Sequence, residues 1–242
     1  MWTAALVLLS ASAFCQAAKL PKNWIVCKKS APDAGDCWKR AMEFSIQDLK
    51  NGSRTFGILP LDPLRISKIK IAPGDGPVSV VLSFHDLDII GISNVKISNV
   101  KNDWKVVTFN AANPRVTLVS KYVMDGKVLT LPIKGDGPCR IDIDNFKSNF
   151  TIRFKKISRG GKEYLEVTKF QLQFTASNAK LQFDNLFGGN KALGNTMNKF
   201  LNENWEEIVN ELSPALAQAF GVAMKAVSNK ILTQIPFEEI NL

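Results

Sequence analysis

Residues 193–235, LGNTMNKFLNENWEEIVNELSPALAQAFGVAMKAVSNKILTQI, decide the fold. Apolar residues recur at Leu193, Met197, Phe200, Leu201, Trp205, Ile208, Val209, Leu212, Leu216, Phe220, Ala223, Val227 and Ile231, at spacings of three and four that mark one face of a helix. Between Ala215 and Val227 nearly every residue is apolar or small, with Gln218 and Lys225 the interruptions, so that half is expected to be buried on most of its circumference. It is too short and too interrupted to cross a bilayer, which takes about 20 apolar residues. Pro214 falls inside the pattern and is expected to kink the helix or split it in two. A helix of this kind needs a cover with one apolar face.

The preceding chain supplies that cover. Trp38–Leu49 has a helical spacing, whereas Gly57, Pro60 and Pro63 hold Phe56–Leu64 on an extended, kinked path. Alternating apolar and polar residues then predict strands over Arg65–Ile71, Val78–Phe84, Asp88–Ile97, Trp104–Phe109 and Arg115–Met124. Asp125-Gly126 reads as a hairpin turn into Lys127–Ile133. A second hairpin joins Ile141–Ile157 to Tyr164–Phe174 through Gly160-Gly161, and a last strand, Ala179–Phe187, reaches the Gly188-Gly189 joint. Phe146, Phe150, Ile152 and Phe154 share one face of their strand, with Lys147, Asn149, Thr151, Arg153 and Lys155 on the other. The apolar phase slips near Thr168-Lys169, which predicts a bulge. The fold class expected is α+β, a long C-terminal helix on one face of a strongly curved antiparallel sheet.

The chain has 242 residues, 45% of them hydrophobic and 22% charged, as in a globular domain with a substantial core. Ala4–Phe14 is uncharged and apolar, and small residues near Ala17 and Ala18 precede Lys19. Residues 1–18 are therefore expected to be a secretory signal peptide, with 19–242 a single domain, although Lys and Arg are missing before the apolar run. An N-terminal core segment or anchor is the alternative. In an oxidising compartment Cys27 and Cys37, ten positions apart across a turn-forming stretch, are expected to pair, leaving Cys139 as a buried free thiol. Asn51 and Asn149 begin acceptor tripeptides for N-glycosylation. The net charge of +9 comes from scattered Lys and Arg rather than a block, which argues for a solvated exterior and against a nucleic-acid surface.

Catalytic signals are sparse. His85 is the one histidine, so a histidine metal cluster is excluded, and a Ser-His-Asp arrangement would have to use it. His85–Asp88 reads as a charged turn between strands, and Asp142 and Asp144 alternate with Ile141 and Ile143 toward solvent. No enzyme activity, cofactor or metal is expected. Phenylalanine occurs 15 times and tyrosine twice. An ordinary core would use most of these rings, whereas a sheet curled round one helix would leave a cavity for an apolar ligand.

Four stretches together resemble the insect takeout and juvenile-hormone-binding protein family. They are the Cys27–Cys37 pair, the run from Gly57 to Leu64, the pattern Tyr122-x-Met-x-Gly-x-x-Leu-x-Leu-Pro-Ile-x-Gly-x-Gly137, and Asn198-x-Phe-Leu-Asn-x-Asn-Trp205 followed by Pro214. The sequence departs at Leu59, where the family often has proline, and Cys139 lacks the partner found in the hormone carriers proper, which places it nearer the takeout branch. The resemblance implies a tubular lipid-binding (TULIP-like) fold enclosing an apolar tunnel, secretion into haemolymph or chemosensory and fat-body surroundings, and links to feeding and circadian physiology. It implies a carrier of a small hydrophobic ligand such as a juvenile-hormone-like terpenoid or fatty acid, and no catalysis. The alternative is a basic protein that docks on a receptor or an anionic membrane and transfers lipid there. A monomer is expected. On strand parity and helix spacing, the tunnel lining expected is Phe84, Leu118, Tyr122, Met124, Phe150, Phe154, Phe170, Phe174, Trp205, Phe220 and Met224, with the Tyr122 hydroxyl as a polar handle.

Overall fold

The computed structural model describes residues 19–72 and 76–241. Helix α1 (Ala34–Asp48) precedes strands β1 (Leu64–Ile71), β2 (Val78–Ile90), β3 (Lys96–Asn102), β4 (Val106–Val128), β5 (Leu131–Arg159), β6 (Lys162–Thr175) and β7 (Asn178–Phe183). Helices α2 (Lys191–Glu203), α3 (Trp205–Leu232) and the short α4 (Phe237–Ile240) complete the chain. The expected signal peptide lies outside the described residues.

All strand pairs are antiparallel, in the order β1-β2-β4-β5-β6, and the sheet does not close on itself. Strands β4, 23 residues, and β5, 29 residues, form its spine. The first half of β4 also holds β3, and the first half of β5 holds β7. The spine bends where the ladder passes from Asn113↔Phe146 to Arg115↔Asp144. Pro114, which has no N–H to give, and Asn145, at φ 49°, drop out of the pairing there. The concave side of the bent sheet carries the core, and α2 and α3 lie against it.

The α+β architecture expected from the sequence is the one observed, with several boundaries moved. Asp125-Gly126 is not a turn. It lies inside β4, opposite Lys134 and Ile133, and the hairpin reverses at Leu129-Thr130, where Leu129 takes φ 55°. Gly126 serves close approach instead: a Cβ there would run into the Ser79 carbonyl oxygen of β2. His85–Asp88 is likewise not a turn between strands but a bulge within β2, since His85 pairs with Lys121 and Asp88 with Val119. The strand expected over Asp88–Ile97 is interrupted by Gly91, at φ 96°, and a single 3-10 turn, Ile92–Asn94. Asp62 of the kinked run holds that turn, its carboxylate accepting from the N–H groups of Gly91 (2.8 Å) and Ser93 (3.0 Å). The Gly160-Gly161 hairpin and the β6 bulge are as expected: Lys169 pairs with Arg153 and Val167 with Phe154, leaving Thr168 over.

The long helix breaks at Asn204 rather than Pro214. Asn204 has φ −115°, and both its backbone N–H and its side-chain amide donate to the Phe200 carbonyl, ending α2. Helix α3 runs continuously through Pro214. The proline cannot donate to the Asn210 carbonyl, and the Ser213 hydroxyl donates to it instead at 3.0 Å.

Three asparagines bind the helices to strand edges. Asn198 accepts from the N–H of Phe183 and donates to its carbonyl (2.9 and 2.8 Å), Asn202 does the same with Leu181 (2.9 and 2.7 Å), and Asn229 with Val167 (2.7 and 3.1 Å). Each carboxamide supplies the donor and acceptor that a neighbouring strand would have supplied. Helix α3 crosses β6 at Gly221, where a Cβ would collide with the Phe170 carbonyl oxygen. Gly221→Ala should therefore lower stability by about 1–3 kcal/mol in chemical denaturation, although alanine is the better helix former by ~1 kcal/mol.

Candidate ligand chamber

Three cavities follow one another along α3, between the helix and the concave sheet. The middle one, about 250 Å³, is bounded by Leu216, Ala217, Phe220, Met224 and Ser228 of α3, by Met42, Ser45 and Ile46 of α1, and by the inward residues of β1 to β6. A smaller space of about 40 Å³ lies toward the start of α3, beside Ile208, Val209 and Leu212, and shares Leu118, Ile143, Phe174 and Leu216 with the middle chamber. At the other end a cavity of about 290 Å³ reaches Ile231, Leu232 and the N-terminal segment, sharing Met42, Ser45, Ile152 and Ser228. From Ile208 to Leu232, at ~1.5 Å per residue, the series extends about 36 Å.

The bent strands bring their phenylalanines together in the middle chamber. Phe109 stacks on its ladder partner Phe150 with ring centroids 4.6 Å apart, Phe150 meets Phe170 edge-on at 5.8 Å, and Phe146 leans on Phe174 at 4.9 Å. Among the described residues lining this chamber none is ionisable. Its polar members are Ser45, Asn113, Ser148 and Ser228. The Ser45 hydroxyl donates to the Met42 carbonyl at 3.0 Å.

Of the residues expected to line a tunnel, Leu118, Phe150, Phe170, Phe174, Phe220 and Met224 border the middle chamber. Phe84 and Met124 border the small space near the start of α3, and Phe154 the cavity at the far end. Two stand elsewhere. Tyr122 is 1% exposed, and its hydroxyl donates to the Asp184 carbonyl at 2.7 Å while its ring meets Phe183 edge-on, so it is no handle in the chamber. Burial and nearby acidic groups push its phenol far up. Trp205 packs against the core but faces an outer pocket lined by Glu203, Glu206, Glu207 and Glu211.

Sequence patterning passed over Asn113, Ser148 and the α1 wall. Ser148 has the parity of Phe146 and Phe150, and Asn113 that of Phe109 and Ala111, which was the available signal. Helix α1 adds a wall through Met42 and Ile46, beyond the Cys27–Cys37 disulfide expected near its start. That disulfide is present, Cys27 to Cys37, with Cα atoms 5.8 Å apart. Two indole N–H groups at this end, of Trp38 and Trp104, are buried without a hydrogen-bond partner.

Asp142 and Asp144, expected to point to solvent, are ion-paired with Arg140 and Arg115 on the outer face of the sheet. Arg140 and Thr117 hold Asp142 below the usual carboxylate range, and Arg115 does so for Asp144. Cys139 is buried, and burial pushes its thiol up to about 12. Alkylation of the native protein near pH ~8 should consequently run about a thousandfold slower than for an exposed thiol, and full reactivity should appear on unfolding. Among the described residues no cluster could hold a metal ion, and no helix is long and apolar enough to cross a membrane.

The fold matches the crystal structure of Takeout 1 from Epiphyas postvittana with a TM-score of 0.78, covering 90% of this chain and 99% of that one at 24% identity. In sequence the chain is 23% identical over 239 residues to the circadian clock-controlled protein daywake of Drosophila melanogaster, covering 90% of this chain and 92% of that protein. The Drosophila yakuba daywake is 24% identical over 192 residues, covering 75% and 74%. The family model of haemolymph juvenile hormone binding protein matches residues 4–242. The chain belongs to the haemolymph juvenile hormone binding protein family.

Proposed function

We propose that this protein is a secreted carrier that holds a small hydrophobic ligand, a terpenoid, fatty acid or other lipid, in a tunnel made of the chambers along α3. The observation that carries this is the middle chamber, an aromatic and aliphatic space between helix and sheet with no ionisable group among the described residues that line it. The neighbouring cavities share walls with it, so a flexible chain could extend past its ends. The Cys27–Cys37 disulfide and the family support secretion. Exposed Asn51 and Asn149 are proposed glycosylation sites. Native mass spectrometry of protein from a secreting host should show a lipid or terpenoid adduct, and empty protein that takes up no hydrophobic probe would refute the proposal.

A second proposal is favoured by one feature. A groove of about 1060 Å³ between β6 and α3 has Phe170, Leu172, Phe174 and Ala217 in common with the chamber, and it carries Arg153, Lys169 and Lys225 with no carboxylate among the described residues of its lining. Such a groove suits docking on anionic lipid for loading or delivery. Co-sedimentation with vesicles should then be strong on anionic lipid and lost in salt, and indifference to lipid charge would remove this role.

A further inference from the structure

The polar groups of the middle chamber say more about the ligand than its walls do. Asn113 is 6% exposed and Ser148 3%. The Asn113 amide nitrogen donates to the carbonyls of Gly91 (2.8 Å) and Ile92 (3.3 Å). Two carbonyl acceptors fix which way the carboxamide points, and its oxygen, Oδ1, is left as an acceptor. Among the described residues no donor meets that oxygen, and the Ser148 hydroxyl has no partner either. Ser148 stands between Phe146 and Phe150 on one face of β5, and across the ladder from Phe174. Neither atom is sealed off as the Trp38 and Trp104 indole N–H groups are, and both residues line the chamber, where a ligand can meet them.

The two groups are close enough to share one partner. The ladder sets Ala111 against Ser148 and Asn113 against Phe146, so Asn113 and Ser148 are diagonal neighbours on the inner face, about 7–8 Å apart at the backbone. We propose that the chamber selects a neutral ligand bearing a hydroxyl group, which donates its proton to Asn113 Oδ1 and accepts from the Ser148 hydroxyl. This rests on the carrier proposal and deepens it. An ether or ester could accept from Ser148 but would leave Asn113 Oδ1 unpaired. A carboxylate would bring a charge into a lining with no cation to meet it, and an ammonium would find no anion.

The test is displacement of the fluorescent probe phenylnaphthylamine by a matched series: dodecanol, methyl dodecyl ether, dodecane and dodecanoate. Dodecanol should bind most tightly, with the ether about tenfold weaker. Dodecanoate should be at least about tenfold weaker at neutral pH and should improve as acid returns it to the neutral form. Ser148→Ala should reduce the advantage of dodecanol over dodecane to within about threefold. Asn113 is left intact because it also holds the Gly91–Ile92 turn. If dodecanoate at neutral pH matches dodecanol, or Ser148→Ala keeps the full preference for the alcohol, the hydroxyl assignment is overturned and the carrier proposal stands. If no member of the series displaces the probe and the probe itself does not bind, both fail together.

Discussion

Met224→Trp is expected to weaken binding of a hydrophobic probe by at least about tenfold while leaving the protein folded. Met224 borders the middle chamber from α3, and that chamber holds about 250 Å³. An indole in place of the flexible thioether takes up space the ligand would use. Filling an existing cavity avoids most of the strain of overpacking a tight core, so the change in stability should stay below about 2 kcal/mol. Phe220→Ala works in the opposite sense, enlarging the chamber and shifting preference toward bulkier ligands. Fluorescence titration with thermal unfolding of the same samples separates the two effects. Unchanged affinity in a folded Met224→Trp protein would mean that the ligand sits elsewhere.

The second large effect is on stability. Asn202→Leu should cost about 2–4 kcal/mol in urea unfolding, and Asn198→Leu a similar amount. Leu181 is 3% exposed, and its N–H and C=O on the outer edge of β7 are met by the Asn202 carboxamide alone. Leucine fills much the same volume and suits the helix, so the loss would report the two hydrogen bonds and the buried backbone groups they leave unpaired. A cost under about 0.5 kcal/mol would show that water reaches that edge and serves equally well.

The fold was largely legible in the sequence because two strong periodicities speak for it. The three-and-four spacing from Leu193 to Ile231 could only belong to a helix, and the alternation along Phe146–Phe154 only to a strand with one apolar face. Breaks were harder to place, because a break depends on what the backbone meets in space. Pro214 looked like the interruption, but a serine one residue away meets the carbonyl it abandons, whereas nothing in the composition around Asn204 marks it as an end. Asp125-Gly126 has the composition of a turn, yet its glycine answers to the neighbouring strand β2. The chamber was legible in its phenylalanines. Tyr122 shows where parity stops: facing inward is not the same as facing a cavity, and its hydroxyl is occupied by Asp184. Asn113 and Ser148 escaped because one polar residue in an apolar alternation looks like a lapse in the pattern rather than its purpose.

The asparagines that hold α2 to β7 also act as a gauge of length. Four residues of helix advance about 6.0 Å, and two residues of strand about 6.6–6.8 Å. Asn198 and Asn202 therefore fall opposite Phe183 and Leu181 almost in step. A slide of α2 by one residue would turn both amides off the edge at once, and a slide by a whole turn would leave one of them unmatched. The position of α2 along β7 is thus set in discrete notches, so the helix that leads into α3 meets the sheet in one alignment.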